Sequence, residues 1–373
     1  MKNLDLSSNC FRKTVLLCVM LLTFIIGCKD TKQFTAEKEL TFKIENAIKF
    51  SNSDFFSNKT VISLETNEKS LIHDRPCLKK DGDNLFVFSK NKPNPILRFD
   101  IKGNFLNSIG SIGQGSDEFT NIWDIVVNKD NSLIEILADN KILFFSYDGI
   151  FLKSEKINIP AISFTCVNGN YWFYAGNNSV YSEYRLFNTD KKFNIVGKYL
   201  SDKSNMLPMM MDYNFNQSLY NTFRESFYNN IYCIKEDSLF LPYLIKFPNL
   251  EIPADVHSMP PLEVGAYLRN IHYASIYCYL ENDNYIYMLV TESDGNRGGA
   301  NYHWIIDKKN NYHERIFKVD VINETYLFIP QLLTDDNYIY FFRHPFGKGN
   351  GNINYDLNPS LVLVNSYDFF VIS

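Results

Sequence analysis

The chain is predicted to fold as an all-β protein, a six-bladed β-propeller of four-stranded antiparallel blades. Three observations carry the prediction. A turn-forming dipeptide followed by a burst of aromatic and branched apolar residues recurs six times, at Asp83-Asn84, Asn131-Ser132, Gly169-Asn170, Asn229-Asn230, Asp283-Asn284 and Asp336-Asn337. Counted from Asn84, the steps are 47, 39, 60, 54 and 53 residues, the size of one propeller blade. The composition agrees, with 31 Phe and 24 Tyr against 17 Gly in 373 residues and no window with the pattern of a long amphipathic helix.

At the N-terminus, Arg12-Lys13 precede an apolar run from Thr14 to Ile26 that is short for a permanent membrane helix and suits a secretory signal. The run ends Phe24-Ile-Ile-Gly27-Cys28, which resembles a bacterial lipobox, with Cys28 as the residue whose thiol is lipidated. The resemblance implies an envelope protein held on the outer membrane by its lipid, on the periplasmic or the outer face. Cleavage would remove Lys2, Arg12, Lys13 and Asp5 and leave the mature chain more acidic. Residues 1–27 are thus read as signal peptide, 28–45 as a polar tether and 46–373 as the propeller.

Within the propeller, each unit is expected to run from an inner strand to the aromatic strand of the phrase and then to an outer hairpin. The segments from Phe99 to Leu106 and from Phe145 to Leu152 superpose at an offset of 46 residues, which places Gly103 and Gly149 at one turn. Glycine suits that turn because it takes positive φ without a steric penalty. Phe187 to Phe193 is a weaker third copy. An open row of blades would leave two apolar faces wet, so the ring must close. Lys59–Leu64 and Ser360–Asn365 both alternate as strands and are expected to share one blade.

The stretch from Ile96 to Phe119, with its Gly113-Gln-Gly115-Ser116-Asp117-Glu118-Phe119 loop and the terminal Asn358-Pro359-Ser-Leu-Val, resembles the Bacteroides-type six-bladed β-propeller lipoproteins. These are distant relatives of NHL-repeat propellers, and most have no assigned activity. The chain departs from the family at Ser116 and Asp117, where Pro and Gly are common. The resemblance covers nearly all of the mature chain and implies fold and location more than chemistry.

Export would leave four thiols, Cys77, Cys166, Cys233 and Cys278. Their compartment permits disulfides, but their neighbours are those of buried strand positions, and none forms a Cys-x-x-Cys pair. A formal charge of −5 with acids and bases scattered gives no electrostatic footprint for nucleic acid. Gly110-Ser-Ile-Gly113-Gln-Gly115 lacks the Gly-Lys-Ser/Thr ending of a phosphate loop, and Asn128–Ser132 and Asp307–Asn311 lack the Gly and Glu of an EF-hand. Asp237-Ser238-Leu239 resembles the O-glycosylation acceptor of such bacteria.

No cofactor or metal motif is present in the sequence. In a propeller, however, residues distant in sequence converge on the central channel. Arg75, Trp123, Asp124, Arg224, Glu225, His272 and Tyr273 are read as inner-strand residues at the channel mouth, a polar and partly aromatic pocket for a sugar or carboxylate. The plainer alternative is that the charged members solvate the channel or pair with one another. Two function classes follow: a membrane-anchored binding or scaffold protein for a glycan, peptide or protein, or a propeller lyase or hydrolase with a polar or metal site at the mouth.

Overall fold

The computed structural model describes residues 34–50, 58–72, 75–90, 94–176, 183–201, 214–216, 221–295, 298–319, 326–344 and 356–371. The N-terminal expectations, namely the signal and Cys28, lie outside the described residues. The first three strands are β1 (Lys38–Thr41), β2 (Ile48–Phe50) and β3 (Lys59–Ser63). Blade 1 follows as β4 (Pro76–Asp81), β5 (Asn84–Ser89), β6 (Ile96–Asp100) and β7 (Phe105–Ile109). A small parallel pair, β8 (Ser111–Ile112) with β9 (Glu118–Phe119), leads to blade 2: β10 (Asp124–Asn128), β11 (Leu133–Ala138), β12 (Lys141–Ser146) and β13 (Phe151–Lys156).

Blade 3 comprises β14 (Ser163–Val167), β15 (Asn170–Tyr174), β16 (Leu186–Thr189) and β17 (Ile195–Tyr199). Blade 4 comprises β18 (Phe215–Asn216), β19 (Thr222–Arg224), β20 (Asn230–Lys235) and β21 (Ser238–Lys246). Blade 5 holds β22 (His272–Glu281), β23 (Tyr285–Asp294), β24 (Gly299–Asp307) and β25 (His313–Val319); blade 6 holds β26 (Tyr326–Leu333), β27 (Tyr338–Arg343) and β28 (Ser360–Asn365). Consecutive inner strands β4, β10, β14, β18, β22 and β26 meet around the axis, and β26 meets β4 again, so the ring is closed.

The closing strand is the one expected: β3 pairs antiparallel with β28, with Ser63 opposite Ser360 and Lys59 opposite Val364. The N-terminal segment does more than that. β1 adds parallel to β21 as a fifth strand of blade 4, and β2 adds parallel to β25 as a fifth strand of blade 5. From Lys38, the end of the segment read as a tether is therefore a strand of blade 4, and with β2 and β3 the chain that follows is strapped over three consecutive blades. Its polar alternation hid this, because an added outer strand buries only one face: Leu40 is buried while Lys38, Glu39 and Thr41 are not. Phe42, between β1 and β2, packs edge-on against Phe247, Tyr302 and Trp304 at centroid distances of 5.7, 5.5 and 5.4 Å.

Apolar clusters lie between blades. Phe86, Phe88 and Ile109 meet Ile125, Ile134 and Ile136 between blades 1 and 2; Tyr287 and Phe317 meet Phe341 and Val362 between blades 5 and 6. A second strand is thus covered on both faces, and β5 is buried at every position after Asn84, whereas the outer β13 has no buried residue. The aromatic phrase maps onto the second strand of blades 1, 2, 3, 5 and 6. Blade 4 differs: its phrase forms β20, the third strand, because the short β18 and β19 supply the two inner positions.

The outer hairpins repeat in detail. Gly103 and Gly149 have φ of 90° and 83°, and a bulge falls beside each turn, at Arg98/Phe99 and Phe144/Phe145. In blade 3, Phe193 takes the equivalent left-handed position with φ of 62°. Asp190 there accepts the Lys192 and Asn194 amides at 2.8 and 2.9 Å, as Asp100 does for Lys102 and Asn104. A Cβ on Gly103 would overlap the Ser63 carbonyl at the closing seam. Gly103→Ala is expected to destabilise by about 1–3 kcal/mol for the backbone alone, plus the clash. Gly82→Ala, at φ of 50° with open space around it, should cost less, and paired thermal melts check the difference.

The family-like loop has a physical account as well. Gly115 N donates to Glu118 Oε2 at 2.8 Å, and a Cβ at Gly113 would run into the same carboxylate. Phe119 is fully buried between blades 1 and 2. The loop thereby carries the chain from the outer strand of one blade to the inner strand of the next.

Candidate functional site

Each inner strand has a neighbouring strand on one side only, so its other edge faces the axis and needs partners for its amides and carbonyls. Side chains of adjacent blades supply many of them. Asp124 Oδ2 of blade 2 accepts Phe164 N of blade 3 at 3.3 Å and the Ser163 hydroxyl as well. Arg224 of blade 4 donates to the Tyr277 carbonyl of blade 5, and Cys278 Sγ lies 3.6 Å from the Pro330 carbonyl of blade 6. Gln331 Oε1 of blade 6 accepts Leu78 N of blade 1 at 3.2 Å.

Two ion pairs complete the circuit. Lys90 Nζ is 3.6 Å from Asp124 Oδ1, joining blades 1 and 2. Arg185 Nε and Nη2 fork onto Glu225 at 2.6 and 3.1 Å, joining blades 3 and 4. Burial alone would lower the Arg185 pKa, but the Glu225 carboxylate more than reverses that and holds it above its ordinary value. The guanidinium also lies 5.3 Å from the ring of Tyr228, which stacks on His257. Burial lowers the pKa of His257.

The seven residues expected at the mouth are therefore divided. Asp124 begins β10 and serves inter-blade pairing. Arg224 and Glu225 lie at and just after the end of β19, a second strand rather than an inner one. All three are buried. Desolvation lowers Arg224 to about 10, which leaves it charged at neutral pH. His272 and Tyr273 begin β22 but stand apart from this network: His272 Nε2 is 2.8 Å from Glu292 Oε1, and Tyr273 packs against Phe227. Trp123 donates its amide to the Leu137 carbonyl at 2.9 Å and packs between blades 2 and 3. Arg75 is exposed, with φ of 50° just before Pro76. Asp124 and Glu225 pair with Lys90 and Arg185, and Arg224 with the Tyr277 carbonyl, rather than with one another.

All seven lie at the upper end, where inner strands begin or second strands finish. The cavity opens at the other end. It has a volume of about 830 Å³ and none of the seven lines it. Its walls include Val126, Val127, Leu280, Leu332 and Leu333 from inner strands of three blades, with Phe215 and Tyr279. Lys79 and Gln331 add polar groups within the channel, and Lys80, Lys129, Asp130, Lys191, Asp335 and Asp336 stand around the lower mouth. Asn128, also in the wall, donates to the buried Glu135 at 2.7 Å, and burial raises the pKa of that carboxyl.

Among the described residues, the seven charged groups of this cavity form no ion pair, in contrast to the upper end. Lys79 is partly open to the cavity by surface area yet surrounded by channel wall, so desolvation lowers its pKa, Asp124 opposes that shift and Lys90 adds to it. The signal for these residues was present in the sequence as Lys79-Lys80, two adjacent ammonium groups in an inner strand. Cys77 and Cys166 also border the cavity; neither they nor Cys233 and Cys278 form a disulfide. Burial, helped by Glu135, pushes the Cys166 thiol up to about 12. Ser238 is exposed at the start of β21.

These blades, their ring closure and the central cavity define a six-bladed β-propeller. The chain belongs to the family described as a domain of unknown function, DUF4934, whose model matches residues 37–356. Its structure is similar to that of a Bacteroides fragilis protein described as a candidate exported protein, with a TM-score of 0.70 and 16% identity over 87% of this chain and 99% of the other. It is also similar to a member of the DUF4221 family from Bacteroides vulgatus, with a TM-score of 0.55 and 9% identity over 82% and 97%. No curated protein matches the chain.

Proposed function

We propose that this propeller is an extracytoplasmic binding protein, anchored to the outer membrane through a lipid on Cys28, that recognises a glycan, peptide or protein partner at its lower mouth. The observation that carries the proposal is the contrast between the two ends. At the upper end Asp124 and Glu225 are spent on inter-blade ion pairs, whereas the lower cavity is open and its charged groups form no ion pair among the described residues. Such a concave site, with apolar walls and a few converging polar groups, is what a ligand pocket requires. Support for the location comes from the signal-like N-terminus and from the structural similarity to a candidate exported protein.

The strap shortens the tether. Cys28 lies ten residues before Lys38, the first residue of β1. Acyl chains contribute about 0.8 kcal/mol per buried methylene, enough for two or more to hold the protein on the membrane. Radiolabelled palmitate should enter the full chain and not the Cys28→Ala variant, which should leave the membrane fraction; equal labelling of both removes the anchor. For recognition, the full chain in detergent is screened on glycan and peptide arrays beside Lys129→Glu and Lys191→Glu, both at exposed positions. Ligands of the lower mouth should be lost from the two variants; hits indifferent to both would place recognition elsewhere.

A further inference from the structure

We propose that the lower cavity binds a small organic anion, with its carboxylate or phosphate group seated against Lys79. This rests on the lower mouth being the binding end and names the chemistry it selects.

Lys79 lines the cavity, and the charged groups that act on it are Asp124 and Lys90. Asp124 is already engaged, by Lys90 at 3.6 Å, by the Ser163 hydroxyl and by Phe164 N. Two ammonium groups therefore share one carboxylate, and the group left in excess is Lys79, which has no hydrogen bond or ion pair among the described residues. Its remaining titratable neighbour is the Cys77 thiol. Lys79 shares the cavity lining with the apolar Val127, Leu280 and Leu332, burial costs its ammonium hydration, and a neutral ligand would worsen that loss. An anion reverses it, since a paired charge in a poorly solvated site interacts more strongly than in water.

The mouth fits the same class. Lys80, Lys129 and Lys191 stand at the opening, form no ion pair among the described residues, and attract an incoming anion. Asp130, Asp335 and Asp336 share that rim and demand hydrogen-bond donors, so the part of the ligand away from its charge carries hydroxyl or amide groups. A polyanion is disfavoured by these same carboxylates. The chemistry selected is a single anionic group on a small polar body.

Pyridoxal phosphate tests this directly, because it is a small anion whose aldehyde condenses with a neutral amine to give an imine and water. Borohydride then delivers hydride to the imine, and peptide mapping locates the fixed label. With the full chain in detergent and limiting reagent, Lys79 should carry the saturable phase of labelling. That phase should be slowed by glucuronate or by inorganic phosphate and unaffected by glucose, and it should be lost in Lys79→Met. Protection by glucuronate alone identifies a carboxylate site, by phosphate alone a phosphate site. Labelling of Lys129 and Lys191 with Lys79 silent, or Lys79 labelling that neither anion slows, overturns the proposal. A neutral array ligand lost from the rim variants would, in that event, leave the lower mouth standing as the binding end.

Discussion

Replacing Arg185 by methionine is expected to destabilise the folded protein by about 3–5 kcal/mol, the range for breaking one side of a buried ion pair. Glu225 is 1% exposed and Arg185 5%, so removing the guanidinium strands a carboxylate between blades 3 and 4 with little water to replace the lost partner. The forked geometry removes two charge-assisted hydrogen bonds in one step. The double variant Arg185→Met/Glu225→Met should recover much of the loss, because replacing both buried charges with apolar groups of similar volume is often near neutral. Chemical denaturation of the single and double variants measures this; a double variant as unstable as the single would show that the pair is not an isolated unit.

Phe42→Ala is expected to cost a similar amount, about 3–5 kcal/mol for truncating a fully buried aromatic. Phe42 is 2% exposed and sits where the strap crosses from blade 4 to blade 5, with Phe247 on one side and Tyr302 and Trp304 on the other. The loss has a location as well as a size. Hydrogen exchange should accelerate first in β1 and in the neighbouring edge of β21, because these are joined through the strap. Uniform acceleration across all six blades would mean that the N-terminal strands are integral to global folding rather than a separately opening strap.

Most of the architecture was legible in the sequence because it rests on local chemistry. Asn and Gly at the turns take left-handed backbone, as at Asn337, Gly103 and Gly149, and the residues after each phrase are apolar on both faces. The closing pair β3 and β28 was legible for the same reason. Blade 4 was misplaced by one strand because its inner strands span only two and three residues and carry no phrase. The strap escaped notice because Lys38–Thr41 and Ile48–Phe50 are short and join the sheets in parallel, with no hairpin in sequence to announce them.

The site was less legible. Charged residues near the inner strands were identified, but which end of the channel each occupies depends on strand direction, and whether a charge is spent depends on partners from other blades. Arg185 is 40 positions from Glu225, and nothing in either neighbourhood announces the pairing. Lys79 is the opposite case, conspicuous in sequence as a charge within a strand yet informative only once its place in the cavity wall is known.

The most direct test of recognition at the lower mouth is a crystal structure of the protein soaked with mixtures of small acidic and neutral glycans and peptides. Density is expected in the 830 Å³ cavity, with an anionic group against Lys79 and the polar body toward Asp335 and Asp336. Ligand bound instead at the upper end, displacing the Arg185–Glu225 or Lys90–Asp124 pairs, would contradict that assignment and return the binding site to the residues first singled out in the sequence.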